Sequence, residues 1–244
     1  MKSNSLKVRL GLIIPSSNTT AEPEFAQMAA AHPQITFHTS RIKLEEVTPS
    51  ALNEMATNLK QAALLLADAS VDGICLACTS GSFIGGRNGI NNLKNIIELA
   101  TDIPSITTSE CVVMALKAIK ARHLAILTPY IPELNSLEVQ FLEESMPELE
   151  VVSVEGFNLT SNLEIGRVPA ERIIKASRFL MKKLNADTLF LSCTNMPSAQ
   201  LLQSLEDEAG IPVISSNSAS LYGLQKLLNH SVKIKHFGKL LSLE

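Results

Sequence analysis

The chain has 244 residues, 45% of them hydrophobic, and 21 Lys and Arg against 24 Asp and Glu give it a formal net charge of −3. That is apolar material for one large core or two cores of about 110 residues. A balanced, well-mixed charge supplies no basic field for nucleic acid. No apolar signal core precedes the first strand and no run approaches the ~18 apolar residues that cross a bilayer, so a soluble, cytoplasmic protein with small-molecule partners and no membrane partner is expected. Four cysteines are too few to staple a chain of this size and are expected to remain thiols.

Lys7 to Ile14 reads as a strand, and Pro15-Ser16-Ser17-Asn18-Thr19-Thr20 as the turn into a helix starting near Glu22-Pro23-Glu24. Hydroxyls, an amide and free backbone N–H groups crowd this junction, a setting that binds anions at a helix N-terminus without Lys or Arg. Ordinary N-capping explains one hydroxyl but not the run. Residues 35–42 form a second strand and 49–70 a long helix, whose stripe of Leu52, Met55, Ala56, Leu59, Ala63 and Leu66 is core packing. The third strand ends at Cys78. A Ser/Gly-rich loop from Thr79 to Gly89 follows, where glycines suit close approach to a ligand, then a helix over about 92–101, a strand at 104–107 and a helix over 109–121.

The second half repeats this plan. A strand at 122–128 leads into Pro129-Tyr130, which takes the place of Pro15-Ser16. Helix 131–145, strand 150–155 and a long polar connection from Gly156 to Arg167 come next, and connections of that length are often functional. Helix 169–184, strand 187–192, helix 199–209, strand 212–214, helix 217–229 and a tail over 230–244 complete the chain.

Internal similarity supports duplication. Val71-Asp72-Gly73-Ile74-Cys75-Leu76-Ala77-Cys78-Thr79 recurs as Ala186-Asp187-Thr188-Leu189-Phe190-Leu191-Ser192-Cys193-Thr194, with Cys78 and Cys193 115 positions apart. Leu10 to Pro15 is echoed 114 positions on by Leu124 to Pro129, and Ile103-Pro104-Ser105-Ile106 is echoed 108 positions on by Ile211-Pro212-Val213-Ile214. Three landmarks in the same order favour a repeat over chance. The expected fold is α/β: two pseudo-twofold-related lobes, each a short parallel sheet flanked by helices, with the site in the cleft between them. Residues 1–107 with 216–244 are expected in one lobe and 108–215 in the other.

Each repeated apolar run lacks alternation, which suits a strand covered on both faces. Cys78 and Cys193 then fall at strand ends, where open parallel sheets bind ligands, and are expected to face each other across the cleft. Backbone donors of the Thr79 to Ser82 turn are expected to favour the reactive thiolate. Cys75 and Cys111, flanked by apolar residues, read as buried small hydrophobes. Cys75 and Cys78 point to opposite sides of an extended strand and no second Cys/His pair follows, so no metal site is expected. His32, His38, His123, His230 and His236 lie outside every motif.

The motif Gly11-Leu12-Ile13-Ile14-Pro15-Ser16-Ser17-Asn18-Thr19-Thr20-Ala21-Glu22-Pro23-Glu24 is the most specific one in the chain. With Cys78-Thr79-Ser80-Gly81-Ser82-Phe83, Thr128-Pro129-Tyr130, Asn162-x-x-Ile165-Gly166-Arg167 and Ser192-Cys193, it resembles the aspartate/glutamate racemase superfamily over nearly the whole chain. Within it the chain is most similar to maleate cis-trans isomerases and arylmalonate decarboxylases, the latter having a glycine where Cys78 stands. The resemblance implies a cofactor-independent isomerase with Cys78 as nucleophile, forming a covalent succinyl adduct of maleate, and Cys193 as proton donor and acceptor. Asn18, Tyr130 and Asn162 would hold the carboxylates, with Ser16, Ser17, Thr79, Ser80 and Thr194 completing the binding set. An amino-acid racemase, an arylmalonate-type decarboxylase and a non-catalytic carboxylate-binding protein are the alternatives. A small dicarboxylate is the expected ligand and a homo-oligomer, dimer or tetramer, the expected assembly. The turns themselves carry no Lys or Arg, so carboxylates would be held by neutral donors.

Overall fold

Four short apolar runs and their echoes build two separate four-stranded sheets, both wholly parallel. The computed structural model describes residues 7–183 and 185–243; residues 1–6 and Glu244 at the lobe boundaries, and Leu184 at the end of the helix expected over 169–184, lie outside the described residues. The first sheet has the order β2 (Ile35–Ile42), β1 (Val8–Pro15), β3 (Gly73–Leu76), β4 (Ser105–Thr107). The second repeats it as β6 (Glu150–Gly156), β5 (His123–Thr128), β7 (Thr188–Leu191), β8 (Val213–Ser215). Central strands β3 and β7 are buried at every position, which is why their sequences are unbroken apolar runs.

Helices cover both faces. The first half contributes α1 (Ala21–Met28), α2 (Pro49–Met55), α3 (Leu59–Asp68), α4 (Thr79–Phe83), α5 (Gly86–Thr101) and α6 (Thr108–Ala118). The second contributes α7 (Pro132–Ser145), α8 (Asn162–Ile165), α9 (Ala170–Lys183), α10 (Leu202–Ala209) and α11 (Ser216–Leu227). Among the described residues no helix is long and apolar enough to cross a membrane.

Several expected segments differ: the connection over 156–167 contains α8, the helix expected over 199–209 opens as a 3-10 turn at Ala199–Leu201, and two further differences have visible causes. The helix over 49–70 is divided by a 3-10 turn at Ala56–Asn58, where the Thr57 hydroxyl donates to the Glu54 carbonyl at 2.8 Å and competes for the helical backbone. The loop expected over 79–89 is instead α4 and the first turn of α5, separated at Gly85-Gly86, with Gly86 at φ +57°. Ser82 Oγ donates back to the Thr79 carbonyl at 2.9 Å, so the polar side chain is satisfied within the buried helix.

The duplication extends to structural side chains. Asp72 accepts from the Arg9 N–H at 2.7 Å, and its echo Asp187 accepts from the N–H groups of Arg122 and His123, both at 3.0 Å. Glu98 takes the Ser105 N–H at 2.9 Å and Glu206 the Val213 N–H at 2.8 Å. Thr107 with Glu110, and Ser215 with Ser218, form capping boxes at the starts of α6 and α11. These last helices of each half pack along one another, and α11 also meets β3, β4 and α1. Gly223 permits the crossing, because a Cβ there would lie 2.3 Å from Cys111 Sγ.

Candidate active site

Both thiols lie just beyond the carboxyl ends of central strands, Cys78 after β3 and Cys193 after β7. The two copies share a sheet position but not a backbone. Cys78 is extended, at φ −146° and ψ 106°, and opens α4. Gly81 follows one turn later with its Cα against the sulfur: a Cβ there would stand 2.9 Å from Cys78 Sγ and 2.5 Å from Met55 Cε. Cys193 instead has φ +96°, a strained backbone for a residue with a side chain. No helix starts at Cys193, since the chain turns through Thr194 to Ser198 before its next helical turn at Ala199. The Cys193 N–H donates to Ser216 Oγ at 2.9 Å and its sulfur accepts from the Asn195 N–H at 3.4 Å.

The halves are stitched together around these thiols. Thr79 Oγ1 donates to Ser216 Oγ at 2.8 Å, linking the Cys78 turn to the residue that holds Cys193. In the reciprocal direction Thr194 Oγ1 donates to the Ala77 carbonyl at 3.1 Å and accepts from Asn18 Nδ2 at 3.2 Å. Asn162 Nδ2 donates to Ser17 Oγ at 2.8 Å, while Asn195 Nδ2 donates to the Asn162 carbonyl. Glu24 of α1 reaches across to accept from the N–H groups of Ser198 and Ala199 at 2.6 and 2.8 Å and from Asn217 Nδ2 at 2.6 Å.

The expected anion-binding turn is largely filled by the protein itself. Asn18 Oδ1 caps α1 by accepting from the N–H groups of Thr20 and Ala21 at 3.0 and 2.9 Å, and Asn195 Oδ1 takes the Thr19 N–H at 2.8 Å. The Ser16 and Asn18 N–H groups go to the carbonyls of Ile42 and Pro15. Ser16 is exposed, and the hydroxyls of Ser16 and Ser17 both donate to the Leu44 carbonyl, anchoring the turn to the segment after β2. What the turn offers inward is Asn18 Nδ2. Thr79, Ser80, Tyr130, Asn162 and Thr194 are buried together with Asn18 and the thiols.

Burial dominates the electrostatics here. It pushes the Cys78 thiol up to about 11 despite hydrogen bonds from the Gly81 N–H and the Ser80 side chain. It pushes Cys193 to about 12, against the opposing effects of the Asn195 N–H and the nearby Tyr130 hydroxyl. The expectation that turn donors alone favour thiolate is therefore corrected: desolvation of the charged form outweighs them. Tyr130 is fully buried, its ring edge-on to Phe83 at 6.3 Å. Burial raises its phenol first, followed by the influence of Cys193, Glu138 and Cys78. Its hydroxyl therefore senses both sulfurs, although it makes no hydrogen bond of ordinary geometry. Among the described residues no group of three or more His, Cys, Asp or Glu converges as metal ligands.

Ser216, Asn217, Asn195, Glu24 and Glu138 were not singled out as site residues by sequence reasoning. Ser215-Ser216-Asn217-Ser218 at the end of β8 does echo Ser16-Ser17-Asn18-Thr19 at the end of β1, a signal that could have identified the first two. Glu138 stands in an amphipathic helix like any surface acid and leaves no such trace.

The family model of arylmalonate decarboxylase matches residues 10–241. Maleate isomerase from Nocardia farcinica is 30% identical over 241 residues, covering 96% of this chain and 95% of the relative. Among solved structures, a cysteine-to-alanine variant of the Pseudomonas putida S16 maleate isomerase with maleate superposes with TM-score 0.89 at 27% identity, over 96% of this chain and 97% of the other. A cysteine-to-serine mutant of the Nocardia farcinica enzyme with a covalently bound succinylcysteine intermediate gives TM-score 0.90 at 28% identity, over 97% and 99%. With two parallel sheets of identical order and a thiol at the end of each central strand, the chain belongs to the arylmalonate decarboxylase family of the aspartate/glutamate racemase-like enzymes.

Proposed function

We propose that this protein isomerises maleate to fumarate without a cofactor, through a covalent adduct on Cys78. The observation that carries the reading is the pair of buried thiols, one from each half and each just beyond the end of a central strand, that both influence Tyr130. Relatives of nearly full length named maleate isomerase, one of them carrying a succinylcysteine, support it.

A carbon–carbon double bond does not rotate at useful rates, so the reaction needs it temporarily single. Cys78 enters the cycle as its thiolate, the minority form in the buried pocket; its sulfur adds to one alkene carbon and the π pair moves toward the adjacent carboxylate. The Cys193 thiol gives its proton to the second carbon, leaving a succinyl group on Cys78 and a thiolate at Cys193. Rotation about the new single bond follows. Cys193 then recovers a proton from that carbon, the carbon–sulfur bond breaks, and Cys78 leaves as thiolate with fumarate free. No electron is gained or lost overall.

Asn18 Nδ2, the Tyr130 hydroxyl and Asn162 are proposed to hold the carboxylates, with Thr79, Ser80 and Thr194 around them. Neutral donors in a pocket shielded from water stabilise the charge that develops on the carboxylate in the transition state. Proton NMR of the native enzyme with maleate, substituted malonates and D/L amino acids tests the reading: fumarate should form from maleate alone. Release of carbon dioxide from malonates or racemisation without fumarate formation would replace it with one of the other activities.

A further inference from the structure

One buried acid has no part in this mechanism. Glu138 of α7 is 2% exposed, and its Oε1 accepts from Ser192 Oγ at 2.6 Å. Ser192 immediately precedes Cys193, and its hydroxyl also lies beside Tyr130, which in turn lies beside Cys193. Glu138 thus stands one hydrogen bond from Ser192, the residue next to Cys193, and both Glu138 and Cys193 influence Tyr130. Two atoms of this group, Glu138 Oε2 and Tyr130 Oη, are buried without a hydrogen-bond partner.

An unpaired carboxylate oxygen in such a place is costly when ionised and far less so when it carries a proton. The titratable group facing Glu138 is Tyr130 from the turn after β5, which Cys193 from the end of β7 and Cys78 from the end of β3 also influence. Helix α4, which packs across α7, carries no ionisable side chain. The other acids of α7 (Glu133, Glu143, Glu144) and those of β6 (Glu150, Glu155) are exposed. Arg87 is exposed and reaches the Glu144 carbonyl at the far end of α7.

We propose that Glu138 is a positioning residue for Cys193: held neutral, it lets the pocket accept the single negative charge that Cys193 acquires on giving up its proton, and once ionised it blocks that step. Burial raises its carboxyl to about 8, with the Ser192 hydrogen bond partly opposing, so the neutral form prevails at neutral pH. Two negative charges in one water-poor pocket repel strongly, because the local dielectric is low.

The role rests on the isomerase reading for its effect on turnover, so it is tested by two readouts. For turnover, native kcat should fall as pH rises through about 8. Glu138→Gln keeps the acceptor for Ser192 and a donor like that of the protonated acid, and should move this alkaline limb up by roughly one pH unit or more. Ser192→Ala, which removes the one contact favouring the carboxylate, should move it in the same direction. Independently of turnover, the pH at which Cys193 becomes open to alkylation in a Cys78→Ser background, followed by mass spectrometry, should be lower with Glu138→Gln. An unmoved limb together with an unmoved alkylation onset overturns the proposal. Lack of fumarate formation by the native enzyme alongside a shifted onset overturns the isomerase reading and leaves the role of Glu138 standing. Should Glu138→Gln not fold, Ser192→Ala decides by the same two measurements.

Discussion

Cys193 keeps a backbone of φ +96° while Cys78, in the equivalent place of its own sheet, is ordinarily extended. The strained member is the one proposed to shuttle a proton; its backbone N–H is held by Ser216 Oγ and its sulfur accepts from the Asn195 N–H. Cys78→Ala should abolish fumarate formation, and Cys193→Ala should lower it by about 10²–10⁴, the range for a lost acid–base group; circular dichroism should show both variants folded. Asn18 serves twice, since Oδ1 caps α1 and Nδ2 points inward. Asn18→Ala should remove both roles, at a cost of about 1 kcal/mol for the cap. Asn18→Asp keeps the cap but replaces the inward donor with an acceptor. Either change is expected to weaken protection of Cys78 by maleate against alkylation about tenfold or more, the loss of one hydrogen bond to a charged acceptor, and more than removal of any Lys does. Protection by neutral amides equal to that by maleate would refute binding of a dianion.

Helix α4 shows why small residues recur after the first thiol. Its five residues are all buried, and Gly81 lets Met55 of α2 and the Cys78 sulfur meet over the same Cα. Gly81→Ala forces one of them aside. Met55 has the flexible end, so stability should fall by only about 1–3 kcal/mol, but kcat should drop at least about tenfold if the sulfur yields too. Chemical denaturation and the NMR assay separate the two effects. The repeated acids divide by strand end. Asp72 and Asp187 bind backbone N–H groups where the strands begin, a structural duty, while the repeated thiols sit where the strands finish.

Across the molecule, four buried ionisable groups shift in one direction. Glu24 and Glu138 are both raised, burial being the largest cause, and Cys78 and Cys193 follow the same rule. A carboxyl with a folded value above its unfolded one contributes stability that is complete below the unfolded value near 4.5 and is lost as pH rises through the folded value near 8. At about 1.4 kcal/mol per unit, Glu138 alone accounts for a loss on the order of 5 kcal/mol, accumulated between about pH 4.5 and 8. The protein should therefore be most stable in mildly acidic solution, and Glu138→Gln should flatten the decline of melting temperature between about pH 4.5 and 8. An equal decline in native and variant would count against a buried, raised Glu138. The lobe division, 1–107 with 216–244 against 108–215, remains our proposal. Contacts of α11 with β3 and β4 support it, while those of α6 with α11 cross the division.

The two parallel sheets and the placement of both thiols at strand ends were legible in the amino-acid sequence, because a strand buried on both faces writes itself as an unbroken apolar run and a duplication writes it twice at offsets of 114, 115 and 108; the order of strands within each sheet was not. The family motifs were equally local. Segments 56–58 and 79–89 were misjudged, since there helix and loop differ by side-chain hydrogen bonds such as Thr57 to Glu54 and Ser82 to Thr79 rather than by composition. Tertiary structure alone decided which donors stay available: Asn195, 176 positions from Thr19, fills part of the turn that looked open to an anion. It also decided the charge states. Desolvation depends on what covers a group, and the cover over Cys78, Cys193 and Glu138 comes from residues distant in sequence, as Ser192 is from Glu138.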